Sequence, residues 1–248
     1  TTSQLMTEHF SQCFAISKDA CVECSYPRNY IFKLDDEERS SYISKYESPT
    51  LGYLIKEFEK YKKIYLYMPT WRDSGKDFFQ SLSLDFNRIN ESMKNTNALF
   101  LFKPHPATKI PHNFNNLSNV KLMDSKTDIY PIMPKIDSFI TDYSSVYYDW
   151  LLLSNKDFIF YIPDLNEYMS TERDIAFPFD DNTEGLKITD FESFIAYLNG
   201  KTKWDPHQAN DHLAIIRKRF WGNDHHQPNQ LDEFINKIAK LINTNLRY

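Results

Sequence analysis

Glycine is scarce in this chain of 248 residues: there are five. That excludes a Gly-rich nucleotide loop of either the G-x-G-x-x-G or the G-x-x-x-x-G-K type. Cysteine is scarcer, with three residues at 13, 21 and 24. Cys21-Val-Glu-Cys24 has the spacing of a redox or zinc pair. A second pair of ligands is missing and no His follows at finger spacing, so ordinary reduced thiols are expected. Positive charge is also in deficit: Lys and Arg number 29 against 34 Asp and Glu, a net −5. That argues against a general nucleic-acid binder, though a local basic patch can survive in such a chain. No apolar run approaches the roughly 20 residues that span a membrane. The opening TTSQLMTEHFSQC has no basic region followed by an apolar one, so no secretory leader is expected.

Aromatic residues are abundant, with 19 Phe and 16 Tyr in a chain that is 41% hydrophobic. Such a chain can build a core and is not disordered. Its length suits one large domain or two small ones. Five apolar runs read as buried strands: KIYLYMPT (63–70), ALFLFKPHP (98–106), NVKLM (119–123), DSFITD (137–142) and DFIFYIP (157–163). Between the first two, Phe78, Leu82, Phe86 and Ile89 recur at three- and four-residue intervals, predicting a helix over 77–94. SSVYYDWLLL (144–153) predicts another, with Val146, Trp150 and Leu153 on one side. Further helices are expected at about 190–199, 207–220 and 229–243. Strands alternating with helices predict an α/β domain with a mainly parallel sheet. Residues 1–45 read differently, as short elements with a turn at SYPRNY (25–30) and a charged stretch after it. They are expected to be the tail of a preceding domain, with 46–248 as the domain proper.

An open parallel sheet binds ligands beyond the carboxyl ends of its strands. Three polar motifs fall at such ends: Thr70-Trp71-Arg72-Asp73, Lys103-Pro104-His105-Pro106, and Thr141-Asp142-Tyr143-Ser144-Ser145. Together they line one edge with Arg, Lys, His and a helix start carrying two hydroxyls. That edge suits an anion, since a helix N-terminus offers free N–H groups and partial positive charge. Arg72 would bind phosphate bidentately, Lys103 would act as a point charge, and His105 would hydrogen-bond or move a proton. Each motif also has a plainer explanation. Asp142 or Ser144 alone would be read as an N-cap, His105 as part of a rigid surface turn, and Trp71 as core. His225-His226 reads as a surface loop and Arg217-Lys218-Arg219 as a solvated helix face. The functional case rests on three strand ends converging.

These stretches together resemble the CDP-glycerol glycerophosphotransferases, which include teichoic acid and capsule polymerases. YMPTWRD (67–73) looks like the family's proline-threonine-tryptophan-arginine strand end, and FKPHP (102–106) like its lysine-proline-histidine-proline element. ITDYSSVYYDWLLLSNKDFIFYIPDLNEY (140–168) is similar to its longest signature. Arg173 falls where an arginine is expected, and SYPRN (25–29) is similar to an interdomain segment. The likeness runs from about Tyr26 to Asp181 in order. It implies a GT-B type fold, a Rossmann-like parallel sheet with helices on both faces, forming the C-terminal, donor-binding half of a two-domain enzyme.

By that resemblance, His105 and Arg72 would be catalytic. Thr70, Lys103, Thr141, Asp142, Ser144, Ser145, Asp149 and Arg173 would bind the donor. No metal or cofactor is expected, since no carboxylate cluster for Mg²⁺ is seen. An acceptor hydroxyl would attack the phosphorus bearing the polyol and CMP would leave. The acceptor would be lipid-linked or polymeric polyol phosphate or polysaccharide, met at the inner membrane face by a cytoplasmic, peripheral protein that binds no nucleic acid. Ser25 replaces the family's glycine, Tyr30 its aspartate, Asp157 stands where a proline often precedes the strand, and 182–188 lacks a Pro-Gly-Pro. These departures leave the donor open among CDP-glycerol, CDP-ribitol and another activated polyol phosphate. The family's tryptophan-histidine-glycine segment has no counterpart, since His9 lacks that context, and a fragment or a naturally split protein is expected. Two rival functions stand beside this one: a GT-B glycosyltransferase or epimerase using a UDP-sugar, and a non-catalytic module binding an anionic polymer or a protein through Arg217, Lys218 and Arg219.

Overall fold

A computed structural model describes residues 1–72, 79, 82–108, 110, 114–153, 156–171, 175–222 and 230–245. In chain order the helices are α1 (Gln4–Cys13), α2 (Asp36–Tyr46), α3 (Pro49–Phe58), α4 (Phe86–Thr96), α5 (Val146–Trp150), α6 (Leu165–Thr171), α7 (Phe179–Asn182), α8 (Phe191–Leu198), α9 (Asn210–Trp221) and α10 (Gln230–Asn245). The strands are β1 (Lys63–Met68), β2 (Ala98–Phe102), β3 (Val120–Leu122), β4 (Ser138–Thr141), β5 (Asp157–Tyr161) and β6 (Leu186–Ile188). They form one sheet of order β3-β2-β1-β4-β5-β6 in which every pairing is parallel.

The strands read as continuous apolar runs because both faces of the sheet are covered. Alternate residues serve two separate cores. Leu66, Leu101, Phe139, Phe158 and Phe160 point to one, closed by α3, α5 and α9 through Leu51, Phe58, Trp150, Ile216 and Phe220. Tyr65, Tyr67, Phe100, Phe102, Ile140 and Tyr161 point to the other, closed by α4 and α8 through Phe86, Ile89, Met93, Phe194 and Tyr197. This is the doubly wound Rossmann arrangement. Its order reverses between β1 and β4, where the connections leave in opposite directions and a crevice opens at the strand ends.

The five expected strands are all present. β6 was not expected: it is three residues long, and only its edge pairing with β5 makes it a strand. The expected helix 77–94 begins later. Asp85 accepts hydrogen bonds from the N–H groups of Asn87 and Arg88 as an N-cap, and Ser83 has φ +51°, which breaks any helix running through it. Leu82, Phe86 and Ile89 are buried as the periodicity implied, and Phe78 lies outside the described residues. The helix expected at 144–153 is regular only over Val146–Trp150. It then tightens, as Leu152 and Leu153 donate to the carbonyls three residues back.

The first 33 residues lie against the C-terminal helices. The hydroxyls of Thr2 and Ser3 donate to the carbonyls of Phe220 (2.6 Å) and Arg219 (2.7 Å), satisfying acceptors that the end of α9 leaves open. A 3-10 turn, Pro27–Lys33, carries the SYPRN stretch onto α5. Among the described residues no helix is long and apolar enough to cross a membrane. Cys13, Cys21 and Cys24 are free thiols.

Candidate functional site

The C-terminal ends of β1, β4 and β5 are tied together beneath the crevice by one buried ionic network. Arg72, 3% exposed, donates through Nε to Asp164 Oδ2 (2.7 Å) and through Nη2 to Asp164 Oδ1 (3.2 Å) and Asp142 Oδ2 (2.9 Å). Its Nη1 donates to the Thr70 carbonyl (2.7 Å). Asp142 also accepts from the N–H of Thr70 at 2.9 Å, from its hydroxyl, and from the N–H of Tyr143. Tyr143 Oη donates to Asp164 (3.0 Å), and the rings of Tyr143 and Tyr168 flank the guanidinium at 5.2 and 4.7 Å. Burial opposes the Arg72 charge, but the two carboxylates outweigh it and hold the group above its ordinary range. The same carboxylates, added to burial, push the Tyr143 hydroxyl up.

Arg72 therefore differs from its expected use. All three of its nitrogens are committed within the protein, so it braces the strand ends rather than reaching toward a ligand. Asp142 differs as well. It is a cross-strand anchor for the β1 turn and caps no helix. Thr141 is fully buried and donates to the Met68 carbonyl (3.0 Å). Thr70 is half-exposed, with its hydroxyl used on Asp142.

The exposed groups lie on the two flanking loops. β2 and β4 are the neighbours of β1 on either side, so the loops after them face each other across about 10 Å, two strand spacings. On the β2 side, His105 is exposed and its Nδ1 accepts the N–H of Ala107 (3.2 Å). The neutral ring then carries its proton on Nε2, ready to donate. Trp71 lies beside it, ring centroids 6.0 Å apart. Lys103 is half-buried, donates to the Ser125 carbonyl (2.7 Å), and has its ammonium pushed down by burial. On the β4 side, Ser144 Oγ accepts weakly from Val146 N–H (3.4 Å), while Ser145 is exposed and makes no capping bond. α5 is five residues long, so its dipole is small and the hydroxyls matter more than the helix end.

Asp149, one turn beyond Ser145, is turned inward. It accepts from Arg28 Nη2 (3.0 Å), Asn29 Nδ2 (3.0 Å) and Tyr130 Oη (2.9 Å). Burial raises its carboxyl above the ordinary range, and these three donors pull it only part of the way back. Arg173 lies outside the described residues, as do Asp73 and His225-His226. Three contributors to the site were not anticipated: Asp164, Tyr143 and Arg28. Each sits inside a stretch already recognised. Asp164 had a legible signal, being a carboxylate directly after the proline that follows β5. Arg28 had none, because its place depends on a contact across 121 positions. Among the described residues no three or more His, Cys, Asp or Glu side chains gather as a metal site requires.

Fold and site define a Rossmann-type unit whose polar crevice opens at the β1/β4 reversal. The model of the CDP-glycerol:poly(glycerophosphate) glycerophosphotransferase family matches residues 1–231, and the chain belongs to that family. It is 28% identical over 196 residues to the teichoic acid ribitol-phosphate polymerase TarK of Staphylococcus aureus, covering 77% of this chain and 36% of TarK. It is 29% identical over 204 residues to a teichoic acid poly(glycerol phosphate) polymerase of Bacillus spizizenii, covering 79% of this chain and 48% of that protein. The wall teichoic acid polymerase TagF superposes on all of it with a TM-score of 0.74 and 20% identity, over 58% of the TagF chain. The fold is thus the GT-B type Rossmann-like unit that the sequence suggested, and the chain spans a third to a half of the length of these curated relatives.

Proposed function

We propose that this chain is the donor-binding part of an enzyme that moves a polyol phosphate from a CDP-activated donor to the hydroxyl end of a teichoic-acid-like or capsular polymer. The observation that supports this most is the pairing of His105 and Ser145. Both are exposed on the loops that flank β1, above a network that fixes the strand ends. The relatives named above are polymerases of glycerol phosphate and of ribitol phosphate, so either polyol fits.

The acceptor hydroxyl oxygen attacks the phosphorus that bears the polyol. A new P–O bond forms, the P–O bond to CMP breaks, and the hydroxyl proton passes to a base outside this chain. Such a transfer depends mainly on positioning and on charge stabilisation. Ser145 Oγ and Ser144 hold diphosphate oxygens, and His105 Nε2 donates to the departing CMP phosphate. Lys103 adds charge from behind. A phosphate monoester with a second pKa of about 6 leaves without a strong acid. Arg72, Asp142 and Thr70 keep the loops in register. Residues 1–45 belong with a preceding domain that supplies the rest of the cleft, and the enzyme works at the inner membrane face, where CDP-polyols meet lipid-linked acceptors.

The test is calorimetric titration of the 248-residue chain with CDP-glycerol, CDP-ribitol, CMP and UDP-sugars. CDP-polyol binding should weaken about ten- to a hundred-fold in Ser145→Ala and in His105→Ala, the loss of a hydrogen bond to a charged group. Selective binding of a UDP-sugar would overturn the donor class and keep only the fold.

A further inference from the structure

A cavity of about 400 Å³ adjoins Ser145, within the size of small-ligand sites. Arg28, Ser145, Tyr143, Tyr148, Tyr168 and His9 are on its wall. Among the described residues the crevice over β1 holds no free guanidinium, since Arg72 is consumed by Asp142, Asp164 and Thr70. Arg28 is its opposite in each respect. Its side chain is 52% exposed. Its guanidinium carbon lies 4.9 Å from the Tyr26 ring centroid and 5.0 Å from that of Tyr130. It touches Asp149 through Nη2 alone, at 3.0 and 3.3 Å. Nε and Nη1 have no protein partner among the described residues.

An arginine carries five N–H donors in a planar fork. Here one nitrogen and two ring contacts fix the plane, and the rest of the fork is left unused on the wall of the cavity. Holding the side chain in advance removes much of the entropy that binding would otherwise cost. Asp149 also lines the cavity, where it accepts from Arg28, Asn29 and Tyr130 and has Arg28 as its counter-charge. Ser145 brings an uncommitted hydroxyl to the same cavity.

We propose that Arg28 and Ser145 together bind a phosphate ester in this cavity, with Arg28 supplying the bidentate guanidinium contact and Asp149 acting as its positioning residue. The proposal rests on the donor-binding function above. The shared chemistry is a phosphate-ester oxyanion, and it has two sources: the diphosphate of the CDP-polyol or a phosphodiester of the acceptor chain. Because Arg28 comes from the SYPRN stretch, the ligand would also clasp that stretch to α5.

The experiment uses the whole chain and two readouts. Phenylglyoxal labelling mapped by mass spectrometry should modify Arg28 but not buried Arg72, and inorganic pyrophosphate should protect Arg28. Calorimetry of wild type, Arg28→Met and Arg28→Lys is then run in two arms, one with CDP-glycerol and one with a glycerol phosphate oligomer. A loss of about ten- to a hundred-fold in Arg28→Met, and a smaller loss in Arg28→Lys, is expected in the arm that supplies the phosphate. A loss confined to the first arm assigns the donor, and one confined to the second assigns the acceptor. Affinities within about two-fold of wild type in both arms, with an unchanged melting temperature, overturn the proposal. Pyrophosphate protection and an oligomer-arm loss in a chain that binds no CDP-polyol would keep this site and overturn the donor function. Neither binding nor protection would overturn both.

Discussion

At the scale of single residues, the two arginines of the site show that exposure decides role. Arg72 and Arg28 are both paired with aspartates and both lie against tyrosine rings. One has every nitrogen spent and the other keeps most of its fork. For Arg72 the expected phenotype is structural. Arg72→Ala leaves Asp142 and Asp164 buried without a counter-charge, a loss of about 3–5 kcal/mol. Arg72→Lys keeps the charge but cannot bridge two carboxylates and a carbonyl at once, and should lose about 1–3 kcal/mol. Denaturant unfolding of both variants checks this. A lysine variant with wild-type stability but no nucleotide binding would return Arg72 to the ligand side. The contrast was not legible beforehand because the partner that uses up Arg72, Asp164, lies 92 positions away. A strand end rich in Arg, Thr and Asp reads alike as a binding edge or as a brace.

At the scale of elements, the central strands were plain in the sequence because burial on both faces writes an unbroken apolar run. β6 was not, since three residues at an edge carry no pattern. The failure at α4 has the same origin: periodicity finds the apolar face, but the cap at Asp85 sets the start. α5 is short, yet it joins the most. Ser145 opens it and Asp149 receives the Pro27–Lys33 turn. That latch has a pH signature. The Asp149 carboxyl is raised in the folded state, so the native form holds the proton more tightly than the unfolded chain. Its contribution is full below the ordinary aspartate value near 4 and is lost as pH rises through the raised value. Asp149→Asn removes that titration. The stability difference, wild type minus variant, should shrink as pH is raised from about 4 to 7. Chemical denaturation across that range measures it, and a difference that grows would show the carboxylate to be favoured by its donors instead.

At the scale of the molecule, the expectation of a Rossmann-like parallel sheet with helices on both faces holds, as does family membership. The finer assignment of roles had to await the contacts between distant segments. Residues 1–45 were expected to be the tail of a preceding domain; within them, hydroxyls at 2 and 3 close α9 and Arg28 closes the latch on α5. These contacts make them part of how this unit is finished.

The brace beneath the crevice has a consequence for ionic strength. Two carboxylates and one guanidinium are sealed together there, so the charge of Arg72 is more than offset within a few ångströms and lends a ligand no net attraction. On the proposed function, a diphosphate would meet, among the described residues, only the rim: the half-buried Lys103, His105 and Arg28. Binding that leans on so few cations should weaken gently with added salt, since most of its strength comes from short hydrogen bonds that screening at a Debye length of about 8–10 Å does not reach. Titration of CDP-glycerol from low to physiological salt reads this directly. A steep decline would mean that the buried arginine opens outward when the ligand arrives.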